Sequence, residues 1–346
     1  MDMRLAPLDT DWHLVFHDIW CSMTSGVPQR SILGPLLFII YINDIRNSLT
    51  SSTKLFADDC VLYREINTIH DAECLQRDLS YMFDWSHTWQ LNSNVSKCKV
   101  MCIANKKSPL TYTYCLNNTP FEWTSTFKYL GVTMNQKFTW HEHTNNITAK
   151  ASRILNLLRR NLRHASKEAK AWAYLVLVRP QLEYAAPVWT PHLKSQILKI
   201  EKVQKRAARW VVDKWVPQTN SWSKTYDGCL NELRWLTLQG RRDLLSCCQT
   251  YKIIHKLVCL NFDDYYCFNT LPTPSHDLTL QCKLATVNSY RFSFFVNSCF
   301  LWNSLPHTLH TAARWPCLSP HWLLTFLTPP NTSYRLLHYL YIFFYL

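Results

Sequence analysis

Two adjacent aspartates, Asp58 and Asp59, stand between short β-prone runs in Lys54-Leu55-Phe56-Ala57-Asp58-Asp59-Cys60-Val61-Leu62-Tyr63, and this pair constrains the chain more than any other feature. The pattern reads as a hairpin with both carboxylates at or beside its tip. Like charges repel there and desolvation penalises each ionised group, so the adjacency does nothing for stability. A divalent cation resolves the conflict, because hard Mg²⁺ prefers carboxylate oxygens and substrate phosphates, the setting of phosphoryl transfer. Taken alone, the dipeptide also reads as a solvated turn, where aspartate is common.

Glycine narrows the field further. Five glycines in 346 residues cannot assemble the Gly-rich phosphate loops of a doubly wound nucleotide-binding sheet. With 47% hydrophobic and 18% charged residues, the chain has material for a core and is not of disordered composition. The fourteen cysteines are scattered, with no C-x-x-C pair, and the first twenty residues lack an apolar signal core. These features imply a reduced setting, intracellular, nuclear or cytoplasmic and not secreted. Cys98 with Cys102, and His141 with His143, lack zinc-finger spacing and read as core or surface residues. The last thirteen residues are apolar but too short to span a bilayer, and they read as a sticky tail. Residues 35–42 are equally apolar and equally short, and Pro35 suggests a buried helix start.

Lys and Arg total 37 against 24 Asp and Glu, which points to a polyanionic partner. The excess is concentrated: residues 147–215 hold fifteen Lys/Arg against four Asp/Glu, a net +11. Ile147, Ala151, Ile154, Leu158 and Leu162 recur at helical spacing, with Lys150, Arg153, Arg160 and Arg163 off the stripe. A second helix turns Ile197, Ile200, Ala207, Trp210 and Val211 inward and Lys199, Lys202, Lys205, Arg206 and Arg209 outward. Such faces suit salt-dependent contact with an RNA or DNA backbone. Seven tryptophans in helix-like segments, among them Trp89, Trp172 and Trp189, read as core.

Upstream of the aspartates lies Ser25-Gly26-Val27-Pro28-Gln29-Arg30-Ser31-Ile32-Leu33-Gly34-Pro35-Leu36-Leu37-Phe38. With Phe56-Ala57-Asp58-Asp59, Tyr129-Leu130-Gly131-Val132, Val178-Arg179-Pro180-Gln181-Leu182-Glu183-Tyr184 and Leu301-Trp302-Asn303-Ser304-Leu305-Pro306, it resembles the reverse transcriptases of non-LTR (LINE-type, jockey-like) retrotransposons over roughly residues 20–306. The resemblance implies an α+β fold: an incomplete polymerase palm over 25–140, then a basic helical thumb-like region over 141–260. A leader (1–24) precedes them and an irregular segment (261–346) follows.

By the same resemblance Asp58 and Asp59 are catalytic Mg²⁺ ligands. Gly26, Pro28 and Gln29 line template and incoming nucleotide, and Tyr129, Leu130 and Gly131 form a primer grip. The partners are an RNA template and a DNA primer. Two departures stand out: no F-x-D motif supplying a third metal aspartate precedes Gly26, and Arg30 replaces a family glycine. The expectation is a truncated, inactive polymerase fragment whose palm sheet lacks its first strand and has an open edge. The alternative is a non-catalytic nucleic-acid-binding protein derived from a retroelement.

Overall fold

A computed structural model describes residues 32–91, 93–104, 110–212, 215–216, 221–222, 224–269, 278–285, 287–305 and 339–345. Gly26, Pro28, Gln29 and Arg30, with Asp2, Asp9, Asp11 and Asp18 of the leader, lie outside the described residues. The fold is α+β. In chain order come α1 (Leu33–Ile42), β1 (Ser52–Phe56), β2 (Asp59–Glu65), α2 (Ile69–Thr88) and β3 (Lys99–Ile103). Short strands follow, β4 (Cys115–Leu116), β5 (Thr119–Pro120) and β6 (Glu122–Trp123), then β7 (Thr126–Tyr129) and β8 (Val132–Asn135). The helical part holds α3 (His141–Asn161), α4 (Lys167–Ala173), a π turn at Tyr174–Val178, α5 (Arg179–Glu183), α6 (Ala186–Trp189) and α7 (Lys194–Val212). The two-residue strands β9 (Trp215–Val216) and β10 (Ser221–Trp222) lead to α8 (Tyr226–Leu233), α9 (Leu238–Ile254), α10 (Asn288–Arg291) and α11 (Phe294–Asn303). The last strand is β11 (Tyr339–Tyr345). Two compact units result: one takes the described residues up to Val100, Leu110–Trp123 and β11, the other those from Met101 to Ala104 and from Thr124 to Leu305.

The first unit is built on a sheet of order β1-β2-β11-β3-β6. Cys60, Val61, Leu62 and Tyr63 are buried in succession on β2, as a strand covered on both faces requires. Leu75, Leu79 and Met82 bury the core side of α2. This helix starts at a reciprocal capping box: the Thr68 hydroxyl accepts from the Asp71 amide at 3.3 Å, and Asp71 accepts from the Thr68 amide at 2.9 Å. Asp78, also on α2, is buried, yet it accepts from the backbone amides of Thr50 (3.0 Å) and Ser51 (2.7 Å). That carboxylate fixes the chain immediately before β1, and so the start of the aspartate hairpin.

Two expectations are corrected here. Residues 35–42 do form most of a helix, but it is not buried: among the apolar residues of 33–42 only Gly34 and Ile42 are, and Leu36 and Ile40 are 54% and 64% exposed. A helix apolar on every side has no preferred face, and its C-terminal end is where it finds partners. There Tyr41 sits edge-on to Trp85 and Trp89, and Trp85 donates to Asp44 at 3.2 Å. The second correction concerns the sheet edge. The far edge of β2 is not open, because β11 pairs with it along its length.

In the second unit, α3 and α7 run side by side in the same direction. Lys199 donates to Asn145 near their N-terminal ends, and Asn156 and Trp210 share a basin further along. The buried stripe of α3 is Thr144, Thr148, Ala151, Leu155 and Leu158, with Ile147 and Ile154 only flanking it. Threonine can take an interior helical position because its hydroxyl bonds the preceding turn, as Thr148 does to the Thr144 carbonyl at 2.7 Å. A buried polar cluster ties α7 to α8 and α9: Gln204 accepts from Tyr174 (2.8 Å) and donates to the Leu236 carbonyl (2.9 Å), while Glu201 accepts from Tyr226 and from the Leu238 amide (3.1 Å). Residues 261–346, expected to be irregular, contain α10, α11 and β11. Trp302 on α11 is fully buried and donates to the Leu278 carbonyl at 2.9 Å.

Candidate active site and nucleic-acid interface

Phe56 pairs with Asp59, so Ala57 and Asp58 alone form the loop of the β1–β2 hairpin. A two-residue loop requires positive φ, and Ala57 adopts φ 48°, an unfavourable value for a residue with a Cβ. Asp58 is exposed at the tip and Asp59, the first residue of β2, is half-buried. The Asp59 carboxyl is held above the usual aspartate range, first by burial and then by the neighbouring Asp58 charge, with Lys97 pulling the other way. The two acids therefore crowd each other at a partly desolvated tip, a charge arrangement that a cation relieves. Lys97 is not among the candidate residues read from the sequence, since nothing in its spacing links it to the hairpin. Among the described residues no cluster of three or more His, Cys, Asp or Glu could hold a metal ion. Asp58 and Asp59 could hold a divalent ion only with much of its coordination supplied by water or phosphate.

The β7–β8 hairpin carries Tyr129, Leu130 and Gly131. Tyr129 pairs with Val132, and the two loop residues have φ of 45° (Leu130) and 84° (Gly131), the signature of a primed turn. The loop is held from the end of α5: the Tyr184 hydroxyl donates to the Leu130 carbonyl at 2.9 Å. Any Cβ at position 131 would lie 3.1 Å from the Tyr184 ring. Gly131→Ala is expected to lower stability by about 2 kcal/mol in urea unfolding, and Tyr184→Phe, which loses only the hydrogen bond, by about 1 kcal/mol. Glu183, beside that tyrosine, accepts from Arg241 in bidentate fashion and meets Arg179 at 3.7 Å.

His143 is not positioned for chemistry. It is buried, its Nδ1 accepts from the Thr133 amide at 3.1 Å, and its ring meets Trp189 edge-on at 4.8 Å. Burial, helped by the Lys128 charge, depresses its pKa to about 4. In the unfolded chain an ordinary histidine takes up a proton near pH 6.5. The native state therefore binds fewer protons between pH 6.5 and about 4, and stability falls as pH drops through that window, by about 3 kcal/mol in all. Urea midpoints from pH 7 to 4 should show this loss, and His143→Gln should flatten it.

The basic residues of the helices divide by face. Lys150 and Arg153 are exposed on α3, as is Arg160, and Arg163 is exposed just beyond its end. Arg160 and Arg163 border a basin of about 510 Å³ with Arg159, Lys170 and Trp210. A second basin of about 260 Å³ lies earlier along the same two helices, between Asn145, Thr148 and Ser152 on one side and Lys199, Lys202 and Arg206 on the other. In it Nε and Nη2 of Arg206 are buried without a hydrogen-bond partner among the described residues, a costly state that an anion would relieve. Lys205 does not face this groove: it lies over the Tyr226 ring, 5.9 Å from its centre. Arg209 is half-buried on α7. Arg159 and Lys170 were missed because membership of the basin depends on how α3, α4 and α7 come together. Of the tryptophans expected in the core, Trp172 is 67% and Trp89 41% exposed, whereas Trp189 is fully buried. The aspartate hairpin belongs to the first unit and the β7–β8 loop and both basins to the second.

Residues 15–134 match the family described as reverse transcriptase (RNA-dependent DNA polymerase). Over this segment the chain is similar to that family. The chain is 31% identical over 201 residues to a probable RNA-directed DNA polymerase from transposon X-element of Drosophila melanogaster, covering 55% of this chain and 22% of the relative. It is 28% identical over 202 residues to the RNA-directed DNA polymerase from mobile element jockey of the same species, covering 54% and 22%. A Pol polyprotein from a type-1 retrotransposable element R1 of Nasonia vitripennis is 27% identical over 185 residues, 49% of this chain and 45% of that one. The chain thus spans 22% of the length of the first two of these relatives. No solved structure matches it. No helix among the described residues is long and apolar enough to cross a membrane.

Proposed function

We propose that this chain is part of the RNA-directed DNA polymerase of a non-LTR retrotransposon: an aspartate hairpin from the palm, joined to helices that track a nucleic-acid backbone. The observation that carries this reading is the two-residue loop that sets Asp58 and Asp59 side by side at the tip of β1–β2, within the segment that matches the reverse transcriptase family. Asp58 and Asp59 would hold Mg²⁺, whose charge would offset that of phosphate oxygens at this tip. In the second unit the chain's own residues would bind and orient. Tyr184 holds the Leu130–Gly131 turn as a rigid guide for a primer end, and Lys199, Lys202 and Arg206 meet phosphates of template RNA or DNA primer. An intracellular site of action, nuclear or cytoplasmic, goes with this reading.

Among the described residues Asp58 and Asp59 have no third carboxylate beside them to help clamp the pair of ions that in-line phosphoryl transfer uses, and in this reading the 346-residue polypeptide by itself does not extend a primer. The groove favours a second reading, a nucleic-acid-binding protein without catalysis. Primer extension on an RNA template, run beside filter binding at rising salt, tests both. The expected result is binding that weakens steeply with salt and no extension. Extension that requires Mg²⁺ and disappears in Asp58→Ala would overturn the inactivity, and salt-independent or absent binding would remove the nucleic-acid reading.

A further inference from the structure

Strand β11 pairs with β2 antiparallel and without interruption, from Tyr339 opposite Glu65, through Ile342 opposite Leu62, to Tyr345 opposite Asp59. In the sheet it lies between β2 and β3. Its sequence, Tyr-Leu-Tyr-Ile-Phe-Phe-Tyr, has no charge, glycine or proline, the composition of a segment that aggregates unless paired. The β2 edge it covers would carry the same hazard if left free. Each therefore removes the other's liability, and the four consecutive buried residues of β2 agree with an interior rather than an edge position.

We propose that this C-terminal strand is the resident occupant of the β2 edge and a plug beside the aspartate hairpin. It completes the sheet in cis, and at the register position next to Asp59 it places Tyr345. None of its seven residues is acidic. A separate strand bringing a third carboxylate to Asp58 and Asp59 by pairing along β2 would have to displace it. That consequence rests on the proposed metal role of the hairpin; the pairing itself does not.

The register supplies a direct test in the full chain. Cys60 stands opposite Phe344, and directly opposed positions in an antiparallel pair lie within disulfide range. The variant Phe344→Cys, refolded in a glutathione redox buffer, should form an intramolecular disulfide between Cys60 and the introduced thiol, read by peptide mass mapping. The variant Phe343→Cys, whose new thiol is one position out of register, should join Cys60 at least tenfold less. Equal yields from the two variants, or bonds only between molecules, would overturn the proposal. Hydrogen exchange gives a second readout. Ile342→Pro removes a ladder donor and should speed exchange of the β2 amides at least tenfold while α9 and α11 keep their protection. Unchanged exchange on β2 would overturn the pairing. A synthetic peptide of residues 339–345 with a lysine tail should bind the Ile342→Pro chain and not the unsubstituted one. Equal binding to both would show the edge to be free and exclude the plug. The polymerase reading stands or falls separately, on primer extension.

Discussion

Trp189→Ala is expected to lower the stability of the second unit by about 4 kcal/mol, within the upper range for emptying a fully buried aromatic site. The size follows from what the ring touches. Trp189 has no exposed surface, its indole nitrogen donates to the Tyr184 carbonyl at 2.7 Å, and its ring makes the edge contact with His143. Tyr184 in turn holds the Leu130–Gly131 turn, and His143 holds the Thr133 amide on the other strand of that hairpin. Emptying the site therefore loosens two anchors of one loop. Urea unfolding should show a lower midpoint, and hydrogen exchange should rise first at residues 129–133. A loss under about 1 kcal/mol, or exchange rising uniformly across the unit, would contradict this chain of contacts.

The second large effect is on binding. Replacing Lys199, Lys202 and Arg206 together by glutamine should weaken association with a nucleic-acid duplex about a hundredfold near 0.1 M salt, and flatten the log–log salt slope by about 2 to 3. The same change should leave stability equal or higher, because it removes a guanidinium with two buried nitrogens that lack partners among the described residues. Lys205→Gln is the matched control. Its ammonium lies over the Tyr226 ring and away from the groove, so affinity should change little. An equal loss in log affinity per charge removed, three in the first variant and one in the control, would mean that net charge alone, rather than the α3–α7 groove, attracts the polyanion.

Local signals were the legible ones. The aspartate hairpin and the two long basic helices follow from turn chemistry, β-propensity and period, and each is a local event. The resemblance to reverse transcriptases over roughly 20–306 agrees with the family match at 15–134. What the sequence concealed depends on distant parts meeting. Thr144 and Thr148 count as polar in any hydropathy pattern, yet both are buried on α3, and the Thr148 hydroxyl is accommodated there by bonding the Thr144 carbonyl. Arg159 joins a basin through the alignment of α3 with α7, and Lys170 through the packing of α4 against Trp210 of α7. Lys97 reaches the field of Asp59 from a remote turn. The strand Tyr339–Tyr345 looked like a sticky tail because stickiness is what a sheet-completing strand shows before its partner edge is known.

The central claim is that Asp58 and Asp59 accept a single divalent ion. Counting bound Mn²⁺ by the loss of its free electron-spin signal tests it most directly, comparing the unsubstituted chain with the double variant Asp58→Asn/Asp59→Asn. The account predicts one weakly held ion per chain, absent from the double variant. Two spin-coupled ions, or a bound ion that survives loss of both carboxylates, would contradict it.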